Sequence, residues 1–87
     1  MPAKRIRISA HALFEMRRRG IKRRDVTRMI RKPGQVLPSI RGREIYQGFI
    51  GRARRLLLRI IVREDAWFYH VVTAYKTTKV AKYWRTP

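Results

Sequence analysis

The stretch RRLLLRIIVRED, residues 54–65, leaves few structural options. Leu56, Leu58, Ile60 and Val62 fall on one phase, and Arg55, Leu57, Arg59, Ile61 and Arg63 on the other. A period of two is that of a β-strand with one sealed face. In a helix the same residues would be dispersed around the axis. The chain is therefore expected to build a sheet with an aliphatic side for a core. Its second side carries a row of guanidinium groups spaced about 13 Å for every four residues. Leu57 and Ile61 sit between those arginines, so the second side is mixed rather than merely solvated.

The rest of the chain reads in the same manner. RIRIS (5–9) predicts a short strand with Ile6 and Ile8 on one face. Ser9 can cap a helix over AHALFEMRRRG, with Ala12, Leu13 and Met16 on one side and Gly20 as its stop. KRRDVTRMIRKPG predicts a second helix, in which Val26, Met29 and Ile30 fall at i, i+3 and i+4 and face the core. Arg24, Arg28 and Arg31 make a basic ridge on another side of it, and Pro33-Gly34 ends it. QVLPSI (35–40) is a weak strand that Pro38 confines to an edge, and Gly42 marks a turn. Strands follow at 43–50, 55–63 and 67–75, joined by a GRAR hairpin tip and a Glu64-Asp65 turn. The tail KTTKVAKYWRTP is expected to be coil or one helical turn capped by Thr77 or Thr78, carrying Val80, Tyr83 and Trp84. The order β-α-α-β-β-β-β predicts an α+β fold: two N-terminal helices packed on a small antiparallel sheet. A single domain over 1–87 is expected, with loose tails at 1–4 and 86–87.

Composition narrows the function. With 87 residues the chain can hold one thin core, and without cysteine neither a disulfide nor a thiolate metal site can brace it. Two histidines and five carboxylates argue against a metal centre, so no metal or other cofactor is expected. There is no apolar run of the ~20 residues a membrane span needs, and the opening MPAKRIRISAHA lacks the apolar middle of a signal peptide. A soluble, cytoplasmic protein is expected. The charge is the strongest signal: 23 basic residues face 5 acidic ones, a net of +18, and 17 of the basic residues are arginine. Such a chain repels itself unless a polyanion or an acidic partner neutralises it. Arginine is also suited to forked contacts with phosphate. A compositional bias would explain arginine over lysine but not the scarcity of aspartate and glutamate. Nucleic acid is the expected partner. An acidic protein is the alternative, and the two can coexist.

The residues able to carry that function lie on the outer phase and at the C-terminal end. Arg55, Arg59 and Arg63 can bind phosphate, or else their stems can snorkel at the rim of a half-covered sheet. Tyr46, Trp67, Tyr69, Tyr75, Tyr83 and Trp84 are interleaved with the bases, an arrangement that serves stacking on single-stranded nucleic acid. Trp67, Phe68 and Tyr69 read better as strand formers in a small core. Tyr75 and Tyr83 are the better candidates, because Lys76, Lys79 and Lys82 flank them. His70 could move a proton in RNA cleavage, although a hydrogen-bonded strand histidine is the favoured reading. His11 reads as structural, and Glu44 and Glu64 as ion-paired. No Ser/His/Asp set, Walker loop or dinucleotide fingerprint occurs.

HALFEMRRRGI (11–21), GREIYQ (42–47), LLLRIIVRED (56–65) and VVTAYKTTKVAKYW (71–84) resemble the small DUF4258 proteins. These in turn resemble the toxins of BrnT/RelE-type toxin–antitoxin systems. The likeness covers about residues 6–85 and is carried most specifically by the HA…M..RGI and VVTAYKTTK…KYW pieces. It implies a RelE-like fold and a metal-independent endoribonuclease that cuts mRNA, often on the ribosome, and is covered by an acidic antitoxin. By position, Arg59, Arg63, Tyr75, Lys76, Lys79 and Tyr83 correspond to the groups that hold RNA and stabilise the cleaved phosphate. The expected catalytic set is Arg59, His70, Lys76 and Tyr83; the expected RNA-binding set is Arg55, Arg59, Arg63, Tyr75, Lys76, Lys79 and Lys82. Glu15 departs from the family, whose members tend to carry arginine there. Two alternatives stay open: a non-catalytic basic module for nucleic acid, and a domain whose basic face serves an acidic protein.

Overall fold

A computed structural model describes residues 4–51 and 55–86. Its elements run β1 (Arg5–Ile8), α1 (Ala10–Arg18), α2 (Arg23–Arg31), β2 (Gln35–Pro38), β3 (Arg43–Ile50), β4 (Leu56–Glu64), β5 (Phe68–Thr77) and α3 (Val80–Tyr83). The α+β class and the expected order hold, with the tail forming one short helix. The five strands make one sheet in the order β1-β5-β4-β3-β2. It is mixed rather than wholly antiparallel. β2 to β5 form an antiparallel meander, whereas β1 joins β5 in parallel. The chain leaves β1 at one edge and re-enters at β2 on the other, through α1 and α2. β5, the parallel neighbour of β1, is the last strand of the meander to be added.

Local chemistry explains the element ends. The Ser9 hydroxyl accepts from the Ala12 amide at 3.0 Å and caps α1. At the other end Gly20 adopts φ +68°, and the Ile21 and Gly20 amides donate back to Met16 O and Arg17 O at 2.8 and 3.2 Å. That pair of bonds is a Schellman stop, and it returns Ile21 to the core. Arg41 and Gly42 both have positive φ, and Arg43 N donates to Ile40 O at 3.1 Å. This is a tight turn of the type that suits a two-residue hairpin. Asp65 ends β4: its Oδ1 accepts from the Trp67 and Phe68 amides at 2.8 and 2.7 Å. Of the expected GRAR tip (51–54), residues 52–54 lie outside the described residues, as do 1–3 and 87 of the expected tails. Lys4, placed in a loose tail by its position, is tied down. Its ammonium pairs with Glu64 and donates to Asp65 O at 2.9 Å.

Both helices cover one face of the sheet. Ala12, Met16, Ile21, Val26, Met29 and Ile30 meet Tyr46, Leu58, Ile60, Val62, Val71 and Ala74 in one buried cluster. Leu13 is only half-buried. A bulge between Ile61 and Val62 in the β4–β5 ladder lets both Val71 and Ala74 face the helices although they are three residues apart. Trp67, expected in the core, stands in the turn and is 76% exposed, because Asp65 claims its amide and turns the chain there. No helix among the described residues is long and apolar enough to cross a membrane.

Leu58 is fully buried in this cluster. Leu58→Ala should cost about 2–5 kcal/mol in urea unfolding. Ile40→Ala, at an exposed turn position, should stay within about 0.5 kcal/mol.

Candidate nucleic-acid interface and active site

Strand pairing turns the outer phase of each strand into rows across the sheet. The ladder sets Arg43 opposite Arg63, Arg63 opposite His70, and His70 opposite Arg7. The next row is apolar: Leu37, Ile45, Ile61 and Thr73. Beyond it lies a polar row of Gln35, Gln47, Arg59 and Tyr75, and then Phe49, Leu57 and Thr77. The outer face is thus banded, with cations at one end and a polar cluster at the other, about 13 Å apart along β4.

The polar cluster is closed by α3 and the residues after it. Gln47 has no solvent exposure and Arg59 only 6%. A charge so buried needs partners, and Arg59 has several. Its Nε donates to Gln47 Oε1 at 2.8 Å, and its Nη1 donates to the Tyr75 hydroxyl. Its guanidinium carbon lies 4.0 Å from the Tyr83 ring centroid, a cation–π stack. Gln47 Nε2 in turn donates to Gln35 Oε1 at 2.8 Å and to Tyr83 O at 3.0 Å, while the Arg85 amide donates to Gln35 Oε1 at 3.1 Å. Trp84 packs on Phe49 with centroids 4.7 Å apart. These contacts tie α3 to the sheet. Arg59 Nη2 is bonded to no described residue.

Tyr83 stands over that guanidinium. Its ring lies 6.3 Å from Tyr75 in an edge arrangement and 5.2 Å from the Lys82 ammonium. Partial burial opposes ionisation of its phenol. The Lys82 charge, the Tyr75 hydroxyl and the Arg59 guanidinium outweigh it, and the phenol is held below its ordinary value. Tyr46 is the opposite case. Burial on the helix side, with Glu64 nearby, pushes its phenol up, and its hydroxyl donates to Glu64 Oε1 at 3.3 Å.

The expected site residues do not all come together. Arg59, Tyr75, Tyr83 and Lys82 come together. Arg63 and His70 share the outer face but lie at the far end, where His70 Nε2 is 2.6 Å from Asp65 Oδ2. Lys76 lies on the other side of the sheet: it pairs with Leu58, and its Nζ reaches Gly20 O at 3.4 Å. Lys79 is exposed at the start of α3, where its amide donates to Thr77 Oγ1 at 3.0 Å. Arg55 is exposed just before β4. Cations are not confined to the outer face. Arg24, Arg28 and Arg31 are exposed on α2, and Arg5, Arg23 and Arg31 line a groove of about 460 Å³ beside β1. The described residues contain no group of three side chains able to hold a metal ion.

Gln47, Gln35, Arg43 and Arg7 also belong to these rows and were not among the expected site residues. Gln47 carried a signal: it is a lone polar residue between Ile45 and Phe49 on one strand phase. Arg43 and Arg7 join the row only through the register, which cannot be read without the hairpin geometry.

A match covers residues 8–82, to the family described as a domain of unknown function (DUF4258). No curated protein and no solved structure matches the chain.

Two outcomes follow. Gln47→Leu strands the Arg59 Nε and Tyr83 O and should cost about 1–3 kcal/mol for each group left unpaired, with amide exchange in α3 rising first. Asp65 is held below the usual carboxylate range chiefly by His70, then by the Trp67 and Phe68 amides. A depressed carboxylate stabilises the fold above its unfolded value of about 4, and that gain is lost as pH falls toward the folded value. Asp65→Asn should therefore melt below the wild type at pH 7, and the gap should close in acid.

Proposed function

The chain belongs to the DUF4258 family, and we propose that it is an RNA-binding protein that cleaves single-stranded RNA at the Arg59–Tyr75–Tyr83–Lys82 cluster, in the manner of a RelE-like toxin. One observation carries the reading: a buried guanidinium, whose Nη2 is bonded to no described residue, lies under a tyrosine whose phenol is acidified by neighbouring cations. In this reaction a ribose 2′-hydroxyl attacks the adjacent phosphorus and the P–O5′ bond breaks. The products are a 2′,3′-cyclic phosphate and a 5′-hydroxyl. Tyr83, as phenolate, takes the 2′-hydroxyl proton. Arg59 Nη2 donates to a non-bridging oxygen as negative charge grows on it. The Lys82 ammonium supplies the proton to the leaving oxygen. Tyr75 orients the guanidinium through its hydroxyl. These are proton transfers and charge stabilisation by side chains alone. His70 and Lys76 lie too far from the cluster, along the sheet or across it, to share its phosphate.

Binding without cleavage is the second reading, and it too has an observation behind it. Two of the Arg59 donor nitrogens are already spent within the fold. In both readings the partner is RNA, and an acidic antitoxin is the protein that would cover the same face.

The purified protein should cut single-stranded RNA in EDTA, alone or with translating ribosomes, and leave 5′-hydroxyl ends. Tyr83→Phe keeps the ring over Arg59 and removes the phenol. It should lower the rate by about 10²–10⁴-fold with RNA affinity unchanged. The wild-type rate should rise with pH and level off below the ordinary phenol value of about 10. No fragments in either setting, together with salt-sensitive binding, would leave the binding module as the function.

A further inference from the structure

Arg43 and Arg63 stand directly opposite each other on the outer face of an antiparallel pair. Like charges in that relation destabilise a sheet unless something neutralises them. Nothing among the described residues does so: neither side chain has a carboxylate or hydrogen-bond partner there. Arg7, on the same row, has its guanidinium carbon 4.1 Å from the Phe68 ring centroid. Three of the five carboxylates are paired elsewhere. Glu15 pairs with Arg18 and Arg19, Glu64 with Lys4, and Asp65 with His70 and two amides. His70 fills the row position between Arg63 and Arg7 and is pinned by Asp65. It therefore holds those two guanidinium groups two strands apart, about 10 Å, while Arg43 and Arg63 are one strand apart.

We infer that the Arg43–Arg63–His70–Arg7 row is a phosphate track that carries a single RNA strand across the sheet, perpendicular to the β-strands. It rests on the reading of the outer face as an RNA interface and adds the path the strand takes. Four strands span about 14 Å, room for a few successive phosphates of one strand. Three arginines meet the backbone, with His70 as the spacer between two of them. The half-buried Ile45 and Ile61 of the next row lie on the side toward the Arg59 cluster, where bases can rest on apolar surface. The track thus separates holding the chain from cutting it: phosphates are gripped at one end of the face, and the reacting phosphate meets Arg59 at the other.

The test uses the whole protein and a 2′-O-methyl oligouridine, which cannot be cleaved by its own 2′-oxygen. Affinity is measured against salt for the wild type, for R7Q/R43Q/R63Q and for R17Q/R24Q/R28Q. The last triple removes the same charge from exposed helix positions. Each phosphate contact contributes about 0.7 to the slope of log K against log salt for a single strand. The row variant should lose about 2 from that slope, and the helix variant less than about 0.7. Equal losses in both, or none in the row variant, would overturn the track. If the triple variant fails to fold, R63Q at its exposed position should still lose about 0.7 while R24Q loses none. Binding by the wild type with the predicted slopes but no cleavage of ordinary RNA would refute the nuclease alone and leave the track standing. No binding at all would refute both.

Discussion

A charged side chain folded into the sheet face holds the C-terminal part of the molecule in place. Arg59 is nearly sealed, and an unpaired buried guanidinium would cost the fold several kcal/mol. Gln47, Tyr75 and the Tyr83 ring remove that cost together. The same contacts fix where α3 sits, because Gln47 also binds Tyr83 O and Gln35 binds the Arg85 amide. The side chain that orders the tail is thus the one the tail then covers. One consequence is chemical: Tyr83 is delivered to the guanidinium by the folding of a four-residue helix that could not persist alone.

The second constraint is charge. At +18 over 87 residues, the chain cannot compensate itself, and three of its five acids are used to shape turns and element ends. Asp65 makes the β4–β5 turn, Glu15 holds the end of α1, and Glu64 ties Lys4 and Tyr46 to the sheet. What remains on the outer face is cation without counter-charge, set beside aliphatic and aromatic surface. That combination suits a polyanion with bases attached. It also means that ionic strength should govern the protein's behaviour more than it does for a balanced domain.

Much of this was legible in the residues. The Leu56–Val62 alternation placed β4 and both of its faces, and the Val26, Met29, Ile30 spacing placed the buried side of α2. Ser9 and Gly20 marked both ends of α1 because each acts through local backbone chemistry. Long-range partners were not legible. The parallel β1–β5 pair, the bulge after Ile61, and the register that sets Arg43 opposite Arg63 depend on how distant segments meet. The burial of Arg59 was hidden for the same reason: an arginine on the outer phase reads as solvated until a tail folds over it. Lys76 shows the matching error. The bulge shifts strand parity, so a lysine next to Tyr75 faces the helices.

Chemical-shift mapping tests most directly whether RNA docks on the outer face of the sheet. Amide resonances of the full chain would be followed while a short single-stranded 2′-O-methyl RNA is added. Shifts should concentrate at Arg7, Ile45, Arg63 and His70 and continue into Tyr75 and α3, with Arg24 and Arg28 little changed. Shifts centred on α2 and the groove beside β1, with the outer face silent, would contradict the account.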